Sequence, residues 1–220
     1  MLKISPTLLD AYRFYRTCPD SWKQTAYTQI VEKLERKPFQ PTTAVQKGLD
    51  FESSVQYGTR ILDCGGKLTG SDAYIDIVNR VHGCEWQVWT KKTLQVPFME
   101  DMHDVRYIGK IDCLFRPTAD FKGKIVDIKT TGRFREDKYR KGYQHLFYCL
   151  SENVSAFEYV VAEWETPDIA DDYRVKALHT VPVTVDLQSV EAAVIVGIKE
   201  FFAFLLAKGL WETYVTVYSK

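Results

Sequence analysis

The sequence lacks the features that mark several specialised classes of protein. Its five cysteines are odd in number and include no C-x-x-C pair; they lie at positions 18, 64, 84, 113 and 149. This pattern favours reduced thiols over a disulfide framework or a zinc site. The N-terminus has no continuous apolar run of the signal-peptide type. The longest apolar stretches, 192–198 and 201–207, are interrupted by two charges and are too short to span a membrane. We therefore expect a cytoplasmic protein without a membrane partner.

An excess of charge of one sign is also missing, because 29 basic residues balance 29 acidic residues. A basic surface for nucleic acid must therefore be local, although an acidic metal site can offset a basic groove in the total. The chain of 220 residues has 45% hydrophobic and 26% charged residues, which is ordinary for a globular protein with a real core. These numbers predict a single domain, without internal repeats.

Hydrophobic periodicity and the placement of Pro and Gly predict an α/β fold, with a mixed sheet flanked by helices. The predicted helices cover 5–15, 21–36, 42–64 (ended by Gly65 and Gly66), 71–81, 136–152 and 187–208. The predicted strands cover 93–98, 104–116, 124–131, 155–163 and 174–185, with a hairpin turn at 119–123. We divide the chain into an N-terminal helical segment (1–41), a core (42–185) and a C-terminal helix with a tail (186–220).

The segment IVDIKTT (125–131) carries an acid and a lysine in an otherwise apolar, β-branched run. Because side chains alternate along a strand, Asp127 and Lys129 share one face with Ile125. A chain with this much Asp and Lys contains about one D-x-K triplet by chance, so the pair needs partners. Two interpretations stand at this point: a surface ion pair on an edge strand, and half of a metal-dependent active site.

The preceding strand supplies a second acid. A short hairpin would bring Asp112, in RYIGKIDCLFR, beside Asp127 on the neighbouring strand. Two carboxylates this close repel each other and need a cation. Mg²⁺ suits them because it takes few protein carboxylates, keeps several waters and binds phosphate oxygens. A nearby lysine would then orient or deprotonate the attacking water. The alternative is two unrelated exposed acids on a hairpin.

A third acid, Glu52, lies on the predicted helix 42–64, on the same stripe as Val45, Leu49 and Val55. We take this stripe to be the buried face of the helix. An acid on a buried face usually pairs with a cation or binds a metal. Both alternatives stay open from the helix alone.

The helix after the Asp127 strand carries a polar pair and is preceded by a basic segment. Gln144 and Tyr148 are four residues apart and share a face. The segment before them is basic, with Arg133, Arg135, Lys138, Arg140 and Lys141 against two acids. This run and the N-terminal helix, with Ser5, Arg13 and Arg16, are suited to DNA phosphates rather than bases. The alternative for the run is a solvated helix start. The four histidines show no ligand spacing, so we take them as structural.

Taken in order, these segments resemble the PD-(D/E)XK nuclease superfamily. The relevant stretches are GLDFE (48–52), GKID (109–112), DIK (127–129) and the Q-x-x-x-Y of 144–148. More narrowly, they resemble the RecB-type and phage-exonuclease branch, in which a glutamine–tyrosine motif follows the lysine strand. The opening 5–19, which ends in Cys-Pro, is similar to the small N-terminal helix of those proteins. The similarity covers roughly residues 5–165.

The resemblance implies a restriction-endonuclease-like core of the order αβββαβ. It implies Glu52, Asp112 and Asp127 as ligands of Mg²⁺ or Mn²⁺, helped by the Ile128 carbonyl. Lys129 would position the water or stabilise the phosphate. Gln144 and Tyr148 would hold this lysine and the DNA backbone.

Two departures from the family pattern matter. Ile111 stands where many members have proline before Asp112, which costs little because other members lack it too. Some relatives hold an iron–sulfur cluster with one N-terminal and three C-terminal cysteines. Cys18 matches the first of these, but no cysteine follows Cys149. We therefore expect no such cluster.

The function that the resemblance implies is a magnesium-dependent DNA nuclease, more narrowly an end-dependent exonuclease of the phage and recombination-repair type. Such an enzyme would work in a bacterial cell or a phage-infected host. Its substrate would be duplex or single-stranded DNA with ends. A homo-oligomer and a single-strand annealing or recombination protein are further partners that the resemblance allows. Two alternatives remain: a non-catalytic DNA-binding or assembly module that keeps the fold, and a structural protein in which the charges are plain ion pairs.

Overall fold

The computed structural model describes residues 1–38, 41–57 and 71–219, with side chains of α4 described from residue 75. The described helices are α1 (Pro6–Thr17), α2 (Asp20–Leu34), α3 (Thr43–Tyr57), α4 (Ser71–Val81), α5 (Glu136–Arg140), α6 (Gln144–Glu152), α7 (Leu187–Ala207) and α8 (Trp211–Tyr218). The described strands are β1 (Leu2–Ile4), β2 (Glu85–Phe98), β3 (Asp101–Phe115), β4 (Lys124–Thr131), β5 (Ala156–Trp164) and β6 (Val175–Thr184).

The strands form one mixed sheet with β3 as its longest member. Strand β3 pairs antiparallel with β2 over almost its whole length, parallel with β1 at 105–107 and antiparallel with β4 at 113–115. Strand β5 pairs parallel with β4 and antiparallel with β6. The order α3–β2–β3–β4–α6–β5 therefore contains the αβββαβ core, and the predicted fold class, a mixed sheet flanked by helices, is confirmed.

Alternation along the strands gives the sheet two apolar faces. The main core packs one face against α1, α6 and α7, and includes Phe147, Tyr159 and Phe202. The minor core packs the other face against α3 and α4, and includes Phe51 and Val160. Because Ile125 lies in the main core and Val126 in the minor core, the odd-numbered residues of β4 face α6.

Several predicted boundaries differ from the observed ones. Strand β2 begins at Glu85 rather than at 93, because its first half, EWQVWTKK, pairs along β3 although its charges hide the apolar alternation. The predicted helix 136–152 is two helices, separated at 141–143 by a break that contains Gly142. The helix end expected at 64–66 lies outside the described residues.

The C-terminal segment belongs to the main core. Helix α7 contacts β2 and α6, and its apolar side chains Val194, Phe201 and Phe202 are buried there. The predicted aromatic tail forms α8, whose Tyr214 donates a 2.8 Å hydrogen bond from its hydroxyl to the Lys3 carbonyl in β1. Despite this apolar character, α7 falls short of what a membrane crossing requires, and so does every other helix in the described part of the chain.

Candidate active site

The Asp127–Lys129 pair lies in the interior of the sheet. Strand β4 pairs with β3 on one side and with β5 on the other, so the interpretation as an edge-strand ion pair is wrong. The Asp127 side chain is fully buried, whereas the Lys129 side chain is 34% exposed. Lys129 Nζ lies 2.5 Å from Asp127 Oδ2. A buried carboxylate is thus joined to an ammonium group that still reaches solvent.

Asp112 lies next to this pair, as the hairpin predicted. The last β3–β4 pair is Cys113 with Val126, and the strands separate beyond it. Asp112 occupies this opening, where its Oδ2 accepts a 2.9 Å hydrogen bond from the backbone N–H of Ile128. The bond crosses from one strand to the other and fixes the Asp112 carboxylate beside the Asp127 strand.

The electrostatics of the site follow from burial and from crowding of acids. Burial raises the pKa of Asp127; the Lys129 charge opposes this rise, and the charges of Asp112 and Glu52 add to it. Burial lowers the pKa of Lys129, but the charges of Asp127 and Asp112 outweigh it, so the net shift is upward. Lys129 is therefore a charged donor at neutral pH. The three acids therefore carry more negative charge than the protein's own cations neutralise here.

Glu52 reaches the site from α3, on a different face of the helix than expected. Val45 and Leu49 are exposed, so the predicted buried stripe is wrong on these two residues. The buried face carries Phe51 and Val55, and Glu52 lies at its margin. Burial raises the pKa of the Glu52 carboxyl, and the charge of Asp112 raises it further. The two acids are thus close enough to interact.

Gly48 explains how α3 comes so near to β4. A Cβ atom at this position would lie 2.8 Å from the Thr130 hydroxyl oxygen. Glycine therefore permits the close approach of helix and strand, one helical turn before Glu52. The glycine of the GLDFE motif has a packing role that the motif itself does not state.

The glutamine–tyrosine pair of α6 packs over the same strand. Gln144 Nε2 donates a 2.7 Å hydrogen bond to Asp127 Oδ1. The Tyr148 hydroxyl donates a 2.6 Å hydrogen bond to the Lys110 carbonyl, two residues before Asp112. Gln144 Nε2 also lies 3.4 Å from the Tyr148 hydroxyl. The two side chains therefore connect α6 with both acidic strands, and Gln144 contacts Asp127 rather than Lys129.

Two residues of the site were missed in the sequence. The Gln87 amide donates a hydrogen bond to Glu52 Oε1, and Gln87 has a positive φ of 56° within β2. Asp10 of α1 accepts a 2.9 Å hydrogen bond from the Tyr143 N–H at the start of α6. Burial raises the pKa of Asp10, which its bonds to Tyr143 and Arg13 oppose. The acid of LLDAY offered a signal for Asp10; no pattern indicated Gln87.

The predicted DNA-binding residues divide into two groups. Arg13, Arg135 and Lys138 line a cavity of about 330 Å³ that also touches Lys129 and Gln144. The remaining five, including Arg140, which pairs with Glu136, do not line this cavity. Ser5 caps α1 by accepting a hydrogen bond from the Leu8 N–H, Arg16 pairs with Glu200 of α7, Lys141 pairs with Asp137, and Arg133 donates its backbone N–H to Thr131. Their contact with DNA stays a prediction.

A metal site is not preformed among the described side chains. Within 1–38, 41–57 and 71–219, no three His, Cys, Asp or Glu residues lie in a group that could hold an ion. The acids are engaged by protein donors: Glu52 by Gln87, Asp127 by Gln144 and Lys129, and Asp112 by the Ile128 N–H. The predicted ligand set, including the Ile128 carbonyl, stays a prediction.

Comparison with known proteins gives structural matches alone. No protein-family model matches the chain, and neither does a curated protein sequence. A phage-related exonuclease from Haemophilus somnus 129PT superposes with a TM-score of 0.50 at 13% identity, over 94% of this chain and 96% of that chain. The crystal structure of LHK-Exo in complex with dAMP gives a TM-score of 0.49 at 14% identity, over 94% and 89% of the two chains. At such identities the first likeness shows a shared fold.

Proposed function

We propose that this chain is a metal-dependent deoxyribonuclease that degrades DNA from its ends. The observation that carries the proposal is the joining of buried Asp127 to Lys129, beside an Asp112 that is fixed through the Ile128 N–H. An ion pair that served only stability would gain little from a second acid beside it, because the charge of the second acid disfavours ionisation of the first acid. A phage-related exonuclease with the same fold supports this class of reaction.

The donor chemistry of the site fits Mg²⁺ or Mn²⁺. Asp112, Asp127 and Glu52 are hard oxygen donors, and their mutual repulsion contributes to the raised pKa values of Asp127 and Glu52. A divalent cation would relieve this repulsion. When bound, it would activate water and neutralise charge on a phosphate oxygen. We assign Asp112 and Asp127 as its main ligands and Glu52 as the third; Glu52 must first exchange its bond with Gln87.

The chain's own residues position the reacting groups. Lys129 is charged and one-third exposed, so its ammonium can donate to a phosphate oxygen or to the attacking water. Gln144 holds Asp127 Oδ1 and thereby sets the orientation of this carboxylate. Tyr148 holds the Lys110 carbonyl and keeps the Asp112 strand against α6. Gln144 and Tyr148 therefore act mainly through the acids they orient.

The cavity beside Lys129 supports a DNA backbone as the ligand. Its lining brings together cations from α1 and from the segment before α6, namely Arg13, Arg135 and Lys138. Phosphate contacts of this kind fix the register of a strand without reading its bases. We assign the cavity to the strand that is cut. Because no base-reading element is needed for such contacts, cleavage is expected to depend on a DNA end rather than on a sequence.

The alternative is a non-catalytic DNA-binding or assembly module with the same fold. A module without catalysis would not need two acids and a lysine held together by protein donors. Here Asp112, Asp127 and Lys129 retain a mutual arrangement with supporting hydrogen bonds. This arrangement favours the enzyme.

Cleavage of linear and closed circular DNA tests the proposal. With Mg²⁺, linear duplex or single-stranded DNA should shorten progressively, while covalently closed circles persist; EDTA should abolish the reaction. Activity should also fall steeply as salt rises, because phosphate contacts release counterions. Discrete bands from a closed circle would contradict end dependence, but they would still support a nuclease. Binding without any cleavage under Mg²⁺ or Mn²⁺ would favour the non-catalytic module.

The role of Lys129 has its own test. Lysine is not a metal ligand, so Lys129→Ala should retain Mg²⁺ binding in calorimetry while turnover collapses. Lys124→Ala, on the same strand and paired with Glu158, is the matched control and should leave both quantities unchanged. If metal affinity and rate fell together in Lys129→Ala, the assigned role would be wrong.

A further inference from the structure

The β2–β3 ribbon changes faces at the active site. In a regular strand, residues two apart point to the same side. Trp86 nevertheless packs against the minor core, whereas Val88 packs against the main core. The residues paired with them behave likewise, since Cys113 belongs to the minor core and Ile111 to the main core. The switch occurs at Gln87, whose φ of 56° is left-handed.

The switch leaves one face of the ribbon to solvent beyond Gln87. On β2 this face carries Trp89 and Lys91, while Val88 and Thr90 point into the protein. Its partners on β3 are paired directly across: Trp89 with Lys110, Lys91 with Ile108 and Thr93 with Arg106. We call the set Trp89, Lys91, Arg106 and Lys110 the ribbon surface. It begins two residues from Asp112.

The ribbon surface combines an uncovered aromatic ring with unpaired positive charge. Trp89 is 71% exposed, and Lys110 Nζ lies 6.0 Å from the centre of its ring. In the described part of the chain, no acid forms an ion pair with Lys91, Arg106 or Lys110. An exposed indole with cations beside it that form no ion pair favours an anionic ligand with flat apolar groups.

We propose that the ribbon surface binds a single strand of DNA beside the active site, an assignment that rests on the nuclease function proposed above. Trp89 stacks on an unpaired base, and the three cations contact the phosphates on either side of it. Aromatic stacking suits a single strand because the faces of its bases are free, whereas a duplex hides them. The ribbon surface lies on β2 and β3, whereas the cavity beside Lys129 is lined by residues that include those of α1 and α5. The two surfaces therefore flank the acids from different elements.

Equilibrium binding in EDTA separates this inference from catalysis. A fluorescein-labelled oligothymidylate is titrated with the full chain, and anisotropy is followed together with quenching of tryptophan fluorescence. Trp89→Ala should weaken binding about tenfold or more, the loss expected for one stacked base. Trp89→Phe should retain most of the affinity, because phenylalanine still stacks. Lys91→Ala should lower the slope of log K against log salt by about 0.7 per lost phosphate contact.

Trp22→Ala is the matched control, because Trp22 is 55% exposed on α2 and lies outside the ribbon surface; it should bind the oligonucleotide as the wild type does. Circular dichroism checks that each variant is folded. Equal affinity of Trp89→Ala and Trp22→Ala, or no binding of the oligonucleotide by the wild type, would overturn the inference. If Trp89→Ala binds weakly and the wild type shows no cleavage with Mg²⁺, the ribbon surface stands and the nuclease function fails. If the wild type cleaves but Trp89→Ala binds normally, the nuclease function stands and the ribbon surface fails.

Discussion

Gly109→Ala is expected to disrupt the active site through packing alone. A Cβ atom at this position would lie 2.1 Å from the Tyr107 hydroxyl oxygen and 2.6 Å from Tyr148 Cε1. Both distances are far below van der Waals contact. Tyr107 is fully buried and stacks on Phe147, with 4.3 Å between ring centres. Relieving both overlaps requires Tyr107 and Tyr148, or the β3 backbone at Gly109, to shift.

The magnitude follows from two contributions. Forcing an extra carbon into a well-packed core costs about 1–3 kcal/mol. Moving Tyr148 also strains or breaks its hydrogen bond to the Lys110 carbonyl, which is worth about 1 kcal/mol. The free energy of unfolding should therefore fall by about 2–4 kcal/mol. In urea this corresponds to a midpoint lower by roughly 1 M or more.

Urea unfolding monitored by tryptophan fluorescence is the assay, with Gly142→Ala as the control. A Cβ atom at Gly142 would have its nearest neighbours at 3.6 Å, an ordinary contact distance, so this variant should change stability little. Adding Tyr107→Phe to Gly109→Ala removes the closest overlapping atom and should restore part of the loss. Gly109→Ala that unfolds at the same urea concentration as Gly142→Ala would refute the packing argument.

Three further predictions concern stability. His145→Gln should flatten the loss of stability between pH 6.5 and about 4. Burial lowers the pKa of His145 to about 4, so in this range the unfolded chain takes up a proton that the folded chain does not, and the free energy of unfolding falls by up to about 1.4 kcal/mol per pH unit. Urea titrations at several pH values measure this slope, and an unchanged slope in the variant would contradict the prediction. Lys47→Met should destabilise by about 1–3 kcal/mol, because the buried Lys47 ammonium donates to the carbonyls of Thr166 and Asp172; no change in the urea midpoint would contradict this. Gln87→Gly should be more stable than Gln87→Ala by about 1 kcal/mol, because only glycine adopts the positive φ without strain; the reverse order in thermal melts would count against strain at this residue.

The parts of the fold that the sequence predicted are those with strong periodicity or clear breaks. Strand β4 and helix α7 were placed within a residue because each is an apolar run between turn signals. Strand β1 was missed because three residues carry no period. The first half of β2 was missed because its charged residues belong to a ribbon that exposes one side and changes faces at Gln87. A change of face of this kind interrupts the period of two.

The candidate site was predictable where residues lie close along the chain or on paired strands. Asp112 and Asp127 come together because a hairpin joins their strands, which the turn residues indicated. Helical periodicity alone did not identify the buried face of α3. Val45 and Leu49 fit the helical period, but the packing of Gly48 on Thr130 turns a different face inward. Asp10 was missed, although LLDAY places an acid among apolar residues, because its partner is a backbone N–H, which the sequence does not identify.

If Asp112 and Asp127 form the catalytic centre of a nuclease, cleavage must depend on both carboxylates. The most direct measurement is the single-turnover rate of cleavage of a linear, end-labelled DNA with Mg²⁺, for the wild type and for Asp112→Asn, Asp127→Asn and Asp120→Asn. Asp120 is an exposed acid in the turn between the two strands and is the control. We expect wild-type cleavage that Asp120→Asn retains and that each of the other two variants loses by orders of magnitude. Cleavage at the wild-type rate by Asp112→Asn or Asp127→Asn would contradict this assignment.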